Sequence, residues 1–154
     1  MSGAIRIYVD ADACPVKDEI YRVAGRYRVP VTVVSNSPIR IPKDSLIDRV
    51  VVGDGFDAAD DWIAERADAG ALVVTSDILL ADRCLKAGAT VLSATGKPFT
   101  LASIGSAIAT RAIMADLRAG GEQLGGPKPF AKTDRSRFLQ ALDTALVQMA
   151  RGRG

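Results

Sequence analysis

Five short apolar runs, rich in β-branched residues, most constrain what this chain can fold into: AIRIYV at 4–9, VTVV at 31–34, DRVVV at 48–52, ALVVT at 71–75 and TVL at 90–92. All are strand length, and helix-length or turn-rich segments separate them. The first run ends at Asp10, and Pro15 suits the first turn of a helix reaching about Tyr27. SNSPIRIPKDS, with two prolines, reads as a loop. GDGFD leads into a helix from about Ala58 to Ala69 that stops before Gly70, and Ser76 and Asp77 can cap another that ends before Gly88. Strands alternating with helices over residues 1–95 predict an α/β fold, a mostly parallel sheet with helices on both faces.

The rest of the chain has a different pattern. Thr100 to Ala119 reads as one long helix, GGEQLGGPKPFAKTD as a glycine-rich basic linker, and Arg135 to Ala150 as a final helix. A length of 154 residues suits one domain, with residues 1–95 as its core and 96–154 as a helical extension. No apolar run approaches the roughly 18 residues of a membrane span, and no basic stretch followed by an apolar one opens the chain, so a cytoplasmic protein is expected. Cys14 and Cys84 then read as two reduced thiols. Residues 1–110 hold 12 Lys or Arg against 14 Asp or Glu, and residues 111–154 hold 8 against 4, so the body is acidic and the tail basic. That asymmetry leaves room for an anionic partner at the tail.

Histidine is absent, which removes Ser-His-Asp and Cys-His nucleophiles, imidazole bases and imidazole metal sites. Carboxylate chemistry, cysteine chemistry or binding remains. In an open parallel sheet, ligands bind outside the carboxyl ends of the strands. Those places carry Asp10 and Asp12, then Asp57, Asp60 and Asp61, then Asp77. Crowded carboxylates repel one another, and all-oxygen ligation suits Mg²⁺ or Mn²⁺. The plain alternative for each is a helix cap or a solvated charge. At about 100° per residue, Ala59, Trp62, Ile63 and Ala67 mark the buried stripe of their helix. Asp60 lies at its edge and Asp61, Glu65 and Asp68 point outward, which ranks Asp60 first, Asp57 second and Asp61 third. Asp82 reads as solvated.

Carboxylate-held metal ions activate water for phosphodiester hydrolysis without histidine. Phosphate contacts would come from Arg40 in the SPIRIP loop, Arg111, and Lys128, Lys132, Arg135 and Arg137 near the last helix. Cys14 beside Pro15 at a helix start is a setting that can lower a thiol pKa, although a small buried residue is the simpler reading.

The segments VDADACPVKDEI, GFDAADDWIA, VVTSDILLA and GGPKPF followed by DRSRFL resemble, in that order, the signatures of the bacterial YaiI/YqxD family. Its proteins look like members of the PIN-like nuclease superfamily. The resemblance implies a three-layer α/β/α domain that gathers acidic residues around Mg²⁺ or Mn²⁺ and cuts nucleic acid, with RNA ahead of DNA as substrate. It supports Asp10, Asp12, Asp57, Asp60 and Asp77 as metal ligands, with Asp10, Asp12, Asp60 and Asp77 as the catalytic group. It also marks Asn36, Arg40, Arg111, Gly126, Pro127, Asp134 and Phe138 as matching positions; Asn36, Arg40, Arg111 and Arg135 are the candidate substrate contacts. The Asp-X-Asp doublet followed by Cys-Pro and the long carboxyl-terminal extension depart from better understood PIN nucleases.

Two rivals stand beside this reading. A haloacid dehalogenase-type phosphatase would phosphorylate Asp10 and use Asp12 as general acid, but GDGFDAADD precedes the strand ending at Thr75, whereas that superfamily places its acidic metal motif last. A non-catalytic RNA-binding protein would keep the metal site idle. With only 5% aromatic residues it would bind through phosphates rather than base stacking.

Overall fold

The computed structural model describes residues 5–53, 55, 57–106, 109 and 130–153. Strands β1 (Arg6–Asp10), β2 (Val31–Ser35), β3 (Ile47–Val51), β4 (Ala71–Val74), β5 (Thr90–Leu92) and β6 (Pro98–Phe99) form one sheet in the order β3-β2-β1-β4-β5-β6. All neighbours are parallel except β5 and β6, which form an antiparallel hairpin. The helices are α1 (Lys17–Tyr27), α2 (Ala58–Arg66), α3 (Ile78–Lys86), α4 (residues 101–106) and α5 (Lys132–Arg153).

The two-residue period of the strands sorts the core into two layers. Ile7, Val9, Val31, Val33, Leu72 and Val74 pack with Ile20 and Val23 of α1 and with Phe138, Leu142 and Leu146 of α5. On the opposite face, Tyr8, Val34, Val73 and Val91 pack with Ala59 and Ile63 of α2, Leu80 and Cys84 of α3, and Ile104 of α4. The domain is therefore helix, sheet, helix. Phe138 has no exposed surface; burying a side chain of that size contributes roughly 1.5–3 kcal/mol toward holding α5 on the sheet.

Element ends differ from expectation for local reasons. Pro15 does not open α1: residues 11–13 first form a 3₁₀ turn, and the α-helix begins at Lys17, whose ammonium donates to the carbonyls of Ala11 and Cys14. The α2 helix stops at Arg66, three residues early, because Ala67 turns extended and the Asp68 carboxylate accepts the Gly70 N–H. The last helix starts three residues early, at Lys132, where the Asp134 carboxylate accepts the Ala131 N–H as half of a capping box. The stretch taken as a helical extension, residues 96–154, also holds β6, a two-residue edge strand too short to leave a period and able to accommodate Pro98.

Gly96 turns the β5–β6 hairpin with φ +85°, and a Cβ there would meet the carbonyl carbon and oxygen of Arg137 at 2.7 Å. Only glycine lets this turn rest on the α5 backbone. Arg135 to Glu19 near the start of α1, and Arg26 to Asp143 near its end, run the two helices side by side in the same direction. The start of α5 thus stands at the carboxyl edge of the sheet. Among the described residues, no helix is long and apolar enough to cross a membrane.

Candidate metal and phosphate site

The chain direction reverses across the sheet between β1 and β4. From β1 it winds through α1 to β2 and on to β3 on one side; from β3 it returns through α2 to β4 and passes to β5 on the other. Such a switch point leaves a crevice beyond the two central strands. Asp10 closes β1 on the same face as Tyr8, and Thr75 follows β4 on the same face as Val73, so both side chains belong to the α2–α3 side. Thr75, 3% exposed, donates its hydroxyl to Asp10 Oδ2 at 2.8 Å and accepts the Asp77 N–H at 3.0 Å. One buried hydroxyl thereby ties the acid of β1 to the acid after β4.

Asp77 is the N-cap of α3, and its Oδ1 accepts from Leu79 N and Leu80 N. The capping alternative is therefore correct for that oxygen; Oδ2 takes no part in either bond. Asp57 occupies the N-cap position of α2 without a side-chain cap bond, and Asp60 lies in the first turn. Asp12 is exposed in the 3₁₀ turn that follows Asp10.

The electrostatics bind these acids into one group. Burial pushes Asp10 above the ordinary carboxylate range; the Thr75 hydroxyl opposes this, and the charges of Asp12 and Asp77 reinforce it. Asp60 is raised to about 6, first by burial and then by the charges of Asp77, Asp10 and Asp57, with Arg83 pulling the other way. Three chain segments, those that follow β1, open α2 and follow β4, thus place negative charge against one another. In the conformation described, however, no three Asp, Glu or Cys side chains among the described residues converge closely enough to hold an ion. The sequence reading of a gathered cluster is corrected to a shared rim. Repulsion without a counter-charge gives ionised carboxylates a reason to stay apart.

The other acids are accounted for. Asp61 pairs with Arg83 at 2.8 Å and Asp82 with Lys86 at 2.9 Å, both off the rim. Burial raises both Cys14 and Cys84, the latter to about 11, so neither is a reactive thiolate and the buried-residue reading of Cys14 holds. The Arg135 guanidinium donates to the Pro15 carbonyl at 2.7 Å and to Glu19 at 3.1 Å, so it holds α5 to the start of α1. Asn36 and Arg40 are exposed in the loop beyond β2. Arg111, Gly126, Pro127 and Lys128 lie outside the described residues. Sequence reading missed Thr75 as a partner of Asp10; the alternation Ala71, Val73, Thr75 was the available signal.

Fold and rim together define a doubly wound α/β domain with an acid-lined crevice at its switch point. The chain belongs to the YaiI/YqxD family: the family model described as "Uncharacterized BCR, YaiI/YqxD family" matches residues 8–148. It is 74% identical over 147 residues to a UPF0178 protein of Sphingopyxis alaskensis, covering 95% of this chain and 96% of that one. It is 63% identical over 148 residues to a UPF0178 protein of Bradyrhizobium diazoefficiens, with 96% and 89% covered. A UPF0178 protein of Rhodopseudomonas palustris strain BisB18 is 60% identical over 146 residues, with 95% and 94% covered. No solved structure matches the chain.

Proposed function

We propose that this protein is a Mg²⁺- or Mn²⁺-dependent nuclease that hydrolyses phosphodiester bonds, in RNA ahead of DNA. The observation that carries the reading is the set of acids from three chain segments at the switch point, whose charges together with burial raise Asp10 and bring Asp60 to about 6. A divalent cation relieves that repulsion, and the carboxylate oxygens match its preference for hard ligands. Asp10, Asp60 and Asp77 would hold it, with Asp12 and Asp57 beside them. When bound it would supply charge neutralisation at the phosphate and a more acidic water.

The chain's own residues prepare the site. The Thr75 hydroxyl fixes the Asp10 carboxylate, and the cap bonds fix Asp77, which leaves Asp60 to move toward them. The strand order and three layers support the resemblance to PIN-like domains. End-labelled single-stranded RNA and DNA incubated across a Mg²⁺ and Mn²⁺ series test the proposal. Cleavage that chelator abolishes is expected. RNA shifted but left intact throughout would overturn it in favour of binding alone, and a phosphoaspartate trapped at Asp10 with 4-nitrophenyl phosphate would overturn it in favour of a phosphatase.

A further inference from the structure

On the α5 face of the same sheet edge, the β5–β6 hairpin and the start of α5 enclose a cleft of about 900 Å³ whose lining includes Thr95, Lys97, Thr133, Asp134 and Arg137. That volume is ample for a ligand. Because β5 is parallel to β4, residues 93–97 leave its carboxyl end, two strand spacings or roughly 10 Å from β1 along the edge that carries Asp10.

The cleft wall is firmly built. Ser93 N donates to the Lys97 carbonyl, Gly96 N to the Ser93 carbonyl and Lys97 N to Ser93 Oγ, while Ser93 Oγ and Thr95 Oγ1 share a hydrogen bond at 3.0 Å. The contact of Gly96 with the Arg137 backbone holds the turn against α5, so Lys97 and Arg137 are presented together. Neither cation is consumed as Arg135 is. Lys97 is exposed, and Arg137 reaches Asp134 only at 4.0 Å with 73% of its side chain exposed. Asp134 is the one acid among these residues, and its Oδ2 is committed to the Ala131 N–H. Two cations, two threonine hydroxyls and one partly neutralised carboxylate favour a phosphate group.

We propose that this cleft binds phosphate, and that its ligand is the backbone of a nucleic-acid strand extending from the acidic rim. The site stands on the geometry of the cleft; the identity of the ligand rests on the nuclease reading. The test uses full-length protein in chelator and a short fluorescein-labelled single-stranded RNA, followed by anisotropy over a salt series. The Lys97→Gln/Arg137→Gln variant should bind about ten-fold more weakly, with the slope of log K against log salt shallower by about one. Its melting curve should match the wild type, and the charge-retaining Lys97→Arg/Arg137→Lys variant should keep the affinity.

Unchanged affinity and slope in the Gln variant, or equal loss in the charge-retaining one, would overturn the cleft. Adenosine monophosphate binding as tightly as the strand would overturn the strand assignment. If the wild type cleaves RNA while the Gln variant binds normally, the cleft falls and the nuclease stands. If the cleft variants behave as expected but RNA survives Mg²⁺ and Mn²⁺, the nuclease falls and the cleft stands.

Discussion

Asp60 and Asp61 are adjacent in the first turn of α2 and live in opposite electrostatic circumstances. Asp61 faces outward and pairs with Arg83; Asp60 turns toward the switch point, where it meets the negative charge of Asp77, Asp10 and Asp57 and is raised to about 6. The same division holds more widely. Asp68, Asp82 and Asp143 on the outer surface pair with Arg6, Lys86 and Arg26, whereas among the described residues Asp10, Asp57, Asp60 and Asp77 form no ion pair. A protein selected for stability alone has little reason to leave repulsion at one edge while it neutralises acids elsewhere. The proposed cation would resolve this contrast at the rim.

The largest effect that would break the contrast is on activity. Replacing Asp10 or Asp77 by Asn should lower metal-dependent cleavage by more than about 100-fold, since even indirect partners of a metal ligand cost 10–100-fold. Asn remains a good helix cap, so Asp77→Asn should still fold. Asp61→Asn should stay within about two-fold of the wild type, because an exposed pair contributes little. Rates measured at fixed Mn²⁺ across the three variants check this; equal losses at Asp10 and Asp61 would dissolve the distinction.

Next in size is the response to the ion itself. Mn²⁺ at about 100 times its dissociation constant should stabilise the wild type by about 2.7 kcal/mol, and the Asp10→Asn protein by much less. Protons compete for the same oxygens. Since Asp60 titrates at about 6, apparent affinity should weaken below that pH by up to about ten-fold per pH unit and level off above it. Thermal melts with and without Mn²⁺ at several pH values supply the measurement, and a shift independent of pH would count against Asp60.

Thr75→Val probes what keeps the rim in register. The isosteric change strips Asp10 Oδ2 and the Asp77 N–H of a shared partner, a loss of about 1–3 kcal/mol. Denaturant unfolding would show it, and Thr75→Ser should recover most of it.

How much of this was legible beforehand depends on the range of the interactions involved. The five parallel strands, the faces of α2 and the preference for Asp60 over Asp61 follow from periods of 2 and 3.6 residues, which local sequence displays. The contacts by which Arg135 holds α5 were not legible because its partners, Pro15 and Glu19, lie more than 110 positions away, and no spacing rule joins them. The close approach of Gly96 to Arg137 and the brief strand at Pro98 are likewise products of tertiary packing. The rim could be located from strand ends, but its openness could not, because repulsion among carboxylates depends on side-chain positions that only the fold sets.

The smallest expected effect separates the neighbours most directly, because their variants should change stability in opposite directions. In metal-free protein, the folded state holds a proton on Asp60 up to about pH 6, whereas the unfolded chain releases it near the ordinary carboxylate value of about 4. The folded state therefore binds more protons in that window, and stability falls as pH rises from about 4 to about 6, then stays level. Asp60→Asn escapes the loss. It should match the wild type below about pH 4 and exceed it above about pH 6; solvent screening over a group this open keeps the gain to about 1 kcal/mol. Asp61→Asn removes an attraction instead and should lose up to about 1 kcal/mol at neutral pH, with the difference shrinking in salt. Chemical denaturation of both variants in chelator at pH 4 and pH 7 gives both signs. A destabilising Asp60→Asn would mean that the rim is compensated after all, and the case for a cation there would lose its footing.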